Sequence, residues 1–198
     1  MSSTRAEELL EILRTQGLTE LPEPVQLASG NYSRYFIDGK VALGAGDDLR
    51  LAAEAINERV TAAGVEFDAV GGLTLGADAL CAAIAVVSGA HWFIVRKEAK
   101  GRGTNRLVEG TRIGEGHRVL LIDDVVTTGG SILQAYESVN ATGAQVVAAV
   151  TLADRGDDAR RSFDEHGVPY FPMATYEEMG IPAIGTEIAG TAADSRND

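Results

Sequence analysis

The sequence predicts an α/β protein: a doubly wound, mostly parallel sheet flanked by helices. Three observations predict it. Short, unbroken apolar runs alternate along the chain with stretches of helical apolar spacing, the order that builds parallel sheets from β-α-β units. Residues 119–122, Val-Leu-Leu-Ile, form such a run and suit a strand buried on both faces. Charged and small residues collect where these runs end, which is where open α/β sheets bind ligands.

The elements follow in order. Residues 4–16 read as an amphipathic helix, with Leu9, Leu10, Ile12 and Leu13 apolar and Arg5, Glu7, Glu8 and Glu11 polar. Gly17 is expected to end it. Residues 23–29 lead into a Ser29-Gly30 turn, and an aromatic-rich strand then runs to Asp38. Asp47 and Asp48 are placed to cap a helix reaching about Ala63. A strand over 68–73 passes through the small-residue turn Gly72-Leu-Thr-Leu-Gly-Ala-Asp78 into a helix containing Cys81. That turn either brackets a phosphate group or is simply a tight strand-to-helix connection.

Residues 92–97 form the next strand. Arg96-Lys-Glu-Ala-Lys-Gly-Arg-Gly-Thr-Asn-Arg106 follows as the chain's one dense basic stretch. It holds Lys97 and Lys100, two of only three lysines; the other is Lys40. Two readings stand: a solvated basic loop, or a lid that closes over a polyanion and excludes water. Beyond the run at 119–122, residues 132–141 have helical spacing and 145–152 form another buried strand. Arg155 stands at its carboxyl end, either clamping a carboxylate or ring carbonyl, or making a helix-flanking salt bridge. A helix over 157–166, a strand over 169–173 and a short turn over 176–179 complete the domain. Residues 1–188 read as one domain, and 189–198 have the composition of a disordered tail.

The centre of the chain is Arg118-Val-Leu-Leu-Ile-Asp-Asp-Val-Val-Thr-Thr-Gly-Gly-Ser131. Asp123 and Asp124 stand at the end of the apolar run, followed by Val125 and Val126 and then Thr127, Thr128, Gly129, Gly130 and Ser131. A glycine-rich turn opening a helix offers free N–H groups at the positive end of the helix dipole, which suits a phosphate. Carboxylates just before it accept hydrogen bonds from vicinal hydroxyls, or hold Mg²⁺ directly or through water. Together they indicate a ligand carrying both groups, such as a ribose 5-phosphate.

Composition narrows the classes. A chain of 198 residues, 45% hydrophobic, is long enough for one α/β domain with a sizeable core. A formal charge of −12 argues against a generic nucleic-acid or anionic-membrane surface. No apolar run is long enough to span a bilayer and the first residues lack a signal-peptide pattern, so a cytoplasmic protein is the expectation. The single Cys81 excludes an intramolecular disulfide and reads as a core residue. His91, His117 and His166 are scattered and read as structural, and there is no Gly-x-Gly-x-x-Gly turn or Cys/His metal cluster.

The central stretch resembles the signature of type I phosphoribosyltransferases. Three segments are similar to the orotate phosphoribosyltransferase family in particular: Ser29-Gly-Asn-Tyr-Ser-Arg-Tyr-Phe-Ile-Asp38, Arg96-Lys-Glu-Ala-Lys-Gly101 and Leu152-Ala-Asp-Arg155. The resemblance implies a small N-terminal hood, largely residues 1–40, over the sheet. It implies transfer of a ribose 5-phosphate from phosphoribosyl pyrophosphate to orotate, with Mg²⁺. Asp123 and Asp124 would hold the ribose hydroxyls, Thr127 to Ser131 the 5-phosphate, and Arg96, Lys97, Lys100 and Arg102 the pyrophosphate, with Val125 and Val126 also binding substrate. Lys100, Asp123 and Asp124 would be catalytic, and Arg155 would bind orotate. A homodimer is implied, with residues 97–106 shared across its interface. The chain has Ala28 and Gly76 where many relatives carry lysine, and Arg102 where some carry histidine. A purine-type transferase and a sugar-phosphate-sensing regulator are the rival readings.

Overall fold

The computed structural model describes residues 3–27, 29–98 and 107–186. Its elements are α1 (Arg5–Ile12), β1 (Leu18–Gln26), β2 (Tyr32–Ile37), α2 (Gly39–Ala42), α3 (Gly46–Ala62), β3 (Ala69–Leu73) and α4 (Asp78–Ser88). Then come β4 (His91–Val95), β5 (Val108–Gly110), β6 (Arg118–Val126), α5 (Gly130–Asn140), β7 (Gln145–Asp154), α6 (Asp158–Glu165) and β8 (Tyr170–Thr175). The main sheet has the order β5-β4-β3-β6-β7-β8. Its neighbours pair in parallel except for β5, which runs antiparallel to β4.

Alternation along β6 explains the layers. Val119 and Leu121 pack with Ile132 and Ala135 of α5 and Phe163 of α6. Leu120 and Ile122 join Leu9, Ile56, Cys81 and Ile84 on the opposite face. Because successive strand side chains point to opposite faces, an unbroken apolar run demands helices on both. From β3 the chain builds outward through β4, and from β6 it builds the other way through β7 and β8. This reversal leaves a crevice at the carboxyl ends of β3 and β6.

Several boundaries differ from expectation. The first helix opens on a capping box between Thr4 and Glu7 but closes at Ile12, and Leu13–Gly17 form a π turn. Residues 23–29 are not simply a lead-in: Leu18–Gln26 pair antiparallel with β2 as a separate two-stranded sheet. Pro22 and Pro24 concealed this strand, since proline cannot donate to a ladder. Their place is the register shift between Glu20 and Val25. Asp47 and Asp48 lie in the first turn of α3, where the dipole favours them, but the N-cap is Ala45. Strand β6 extends to Val126, so both aspartates lie within it rather than after it. The helix α1 packs on α3, with Arg5 paired to Glu54 and Glu58.

Candidate active site

A cavity of about 430 Å³ opens where β6 turns into α5, with β2 of the hairpin over it. Asp123, Val125, Val126, Thr127, Thr128, Gly129, Gly130 and Ser131 all contribute, and of the remaining expected residues Lys97 and Arg155 also line it. Such a volume suits a small, polar organic ligand.

The turn itself needs glycine. Gly129 is left-handed, with φ +82°, and a Cβ there would come within 3.1 Å of the Ala159 Cα where α6 crosses behind it. It is also the N-cap of α5, and no side chain caps that helix. The first-turn N–H groups of α5 are therefore offered to the cavity rather than to a cap.

The two aspartates do different things. Asp123 lines the cavity and is 5% exposed. Burial, reinforced by the neighbouring Asp124, pushes its carboxyl well above the ordinary carboxylate range, while Lys97 acts the other way. Asp124, one residue on, lies on the opposite side of the strand and does not line the cavity. Its carboxylate fits against Gly76: a Cβ at that position would lie 2.3 Å from Oδ1. Lys40 Nζ is 3.6 Å from Oδ2. A lysine at position 76 would collide with Asp124 in this arrangement, and Lys40 brings a cation to the same carboxylate. Asp78 crowds the crevice too; burial and then Asp124 raise its carboxyl, and its Oδ1 is buried with no hydrogen-bond partner.

Arg155 is 2% exposed. Nη1 donates to the Tyr35 carbonyl at 2.7 Å and Nη2 to the Ser33 hydroxyl at 2.9 Å, so the guanidinium ties β7 to the hairpin as well as lining the cavity. Arg96 does not line the cavity; its Nη1 faces Glu109 of β5 at 3.5 Å. The Lys97 carbonyl accepts from Gln134 Nε2 at 3.0 Å, which fastens the start of the basic segment to α5. Ala28, Lys100 and Arg102 lie outside the described residues. Sequence reasoning missed Leu27, Ser29, Phe36, Ile37, Leu73 and Gln134 as cavity residues. The run of aromatics in β2 was the available signal for Phe36; nothing local marks Gln134.

The family model for the phosphoribosyl transferase domain matches residues 47–167. An orotate phosphoribosyltransferase from Pyrococcus abyssi is 34% identical over 188 residues, covering 95% of this chain and 99% of the relative. The chain belongs to the orotate phosphoribosyltransferase family. Another member, from Streptomyces coelicolor, is 37% identical over 180 residues, covering 88% of this chain and 96% of its own. The fold matches the orotate phosphoribosyltransferase of Mycobacterium tuberculosis solved in complex with phosphoribosyl pyrophosphate (TM-score 0.73, 30% identity, 90% of this chain and 100% of that one). A phosphoribosyltransferase from Corynebacterium diphtheriae matches with a TM-score of 0.76 and 31% identity, over 90% of this chain and 100% of that one. Its mostly parallel sheet with helices on both faces is thus the type I phosphoribosyltransferase fold.

Proposed function

We propose that the chain transfers the ribose 5-phosphate group of phosphoribosyl pyrophosphate to orotate, giving orotidine 5′-phosphate and pyrophosphate for UMP synthesis. One observation carries this reading: a single cavity gathers an uncapped helix start, a buried carboxylate, a lysine and a buried guanidinium. The 5-phosphate takes the N–H groups of residues 127–131, the ribose hydroxyls face Asp123, and orotate lies towards Arg155 and Phe36. A buried cation at the base end favours an anionic base over a neutral purine, which ranks the orotate reading above its purine rival.

As the ribose–pyrophosphate bond breaks, positive charge grows on the sugar and negative charge on the leaving group. Lys97, Lys100, Arg102 and Arg96 are the cations of this chain for the leaving pyrophosphate, and a closed basic segment keeps water from the sugar cation. Asp123 and Asp124 would hold Mg²⁺ directly or through water. The crowding of Asp78, Asp123 and Asp124, with an orphaned Asp78 oxygen, suits a cation. Among the described residues no group of three or more His, Cys, Asp or Glu side chains is placed to hold a metal ion by itself. Mg²⁺ supplies counter-charge to the pyrophosphate when bound.

The same proposal takes residues 1–188 as one catalytic unit in a cytoplasmic homodimer, with residues 97–106 reaching the partner's site. Solvent-exposed Val86 and Val87 of α4 and Trp92 at the start of β4 support an apolar contact between copies. No described helix is long and apolar enough to cross a membrane.

The test is orotate consumption, followed by ultraviolet absorbance, with phosphoribosyl pyrophosphate and Mg²⁺. Wild-type turnover is expected, with kcat lowered about a hundredfold or more by Lys100→Ala, as for loss of one transition-state donor. Absence of turnover with orotate across a range of salt concentrations would sink the assignment.

A further inference from the structure

The base end of this reading depends on where the Arg155 guanidinium points, and the hairpin decides that. Ser33 is completely buried in β2 and accepts from Arg155 Nη2 at 2.9 Å. Two residues along the same strand, the Tyr35 carbonyl accepts from Nη1 at 2.7 Å. Two acceptors on one rigid strand fix both the position and the plane of a flat guanidinium. The Ser33 hydroxyl is itself held, because it accepts the Tyr35 backbone N–H at 3.0 Å. With the serine at 0% exposure and the arginine at 2%, bulk water is excluded from replacing a lost hydroxyl. Ser33 does not line the cavity, so its effect on a ligand must pass through Arg155.

We infer that Ser33 is a positioning residue for Arg155, and that its hydroxyl sets how tightly the site takes an anionic base. The inference rests on the proposed base end at Arg155. It also links the hairpin's register to base recognition, since a hairpin shifted along its strand direction would withdraw both acceptors together.

The test compares wild type, Ser33→Ala, Arg155→Gln and the double variant, with orotate and phosphoribosyl pyrophosphate varied separately. Ser33→Ala is expected to raise KM for orotate about tenfold and to leave KM for phosphoribosyl pyrophosphate within about twofold. In the Arg155→Gln background the same change is expected to add nothing further. A parallel rise of both KM values, or an equal penalty with and without Arg155, would overturn the inference. A second readout needs no orotate: the ¹⁵N side-chain signals of Arg155, identified by their loss in Arg155→Gln, should be sharp in wild type and broadened in Ser33→Ala. Unchanged signals would overturn the positioning role. A wild type that fails to consume orotate sinks the functional reading alone, and the spectra still decide the role of Ser33.

Discussion

At the phosphate end of the cavity, the groups come from one uninterrupted stretch, residues 125–131, and the donors are backbone N–H groups at an uncapped helix start. At the base end, Arg155 is held by a serine 122 positions earlier in the chain. The first arrangement depends on backbone conformation and tolerates many side-chain changes. The second depends on individual buried side chains and on a hairpin keeping its place. One cavity therefore carries two different sensitivities, and substitutions should separate them.

The largest effect is expected at the base end. Arg155→Met removes a buried, charge-assisted set of hydrogen bonds, and KM for orotate should rise roughly a hundredfold while KM for phosphoribosyl pyrophosphate changes little. Equal loss at both substrates would show that the hairpin supports the whole cavity, breaking the distinction. Next comes Gly129→Ala, which puts a Cβ on a left-handed residue and against Ala159. A strain of about 1–2 kcal/mol predicts KM for phosphoribosyl pyrophosphate about tenfold higher, with orotate barely affected. Titrating each substrate against the variant checks this.

The acid end of the pH range gives a third, smaller effect. Asp123 is raised in the folded protein by burial and by Asp124, so the folded state binds this proton more tightly than the unfolded chain does. Its contribution to stability is complete below the ordinary carboxylate pKa and is lost as pH rises through its own raised value. The melting temperature of the ligand-free protein should therefore fall over that window, and Asp123→Asn should flatten the dependence. A pH profile unchanged by the substitution would show that Asp123 does not carry the raised proton. Smallest is Lys40→Met. Lys40 is well exposed and 3.6 Å from Asp124, so loss of this pair should raise KM for phosphoribosyl pyrophosphate by less than about fivefold, and high salt should mask the change. A large, salt-independent loss would instead make Lys40 a direct ligand.

The contrast also explains which parts were legible in advance. The β6–α5 turn was readable because its signal is local: an apolar run, acidic residues, then glycines at a helix start, all in consecutive positions. Arg155 was recognised as a strand-end cation, but its bonds to the hairpin join distant residues and leave no local signal. Strand β1 was obscured by two prolines that only a register shift accommodates. The pairing of Asp123 with Asp124 in sequence suggested one shared role, yet strand alternation sends them to opposite sides.

The sequence by itself determined the layered α/β architecture and the phosphate turn, because hydrophobic periodicity and glycine conformational freedom act between near neighbours. Only the tertiary structure decided that Asp124 fills the space beside Gly76 and that Lys40 meets it. It alone decided that Ser33 holds Arg155. Those contacts join residues distant in the chain, and a buried side chain takes whatever acceptor the packed elements bring to it.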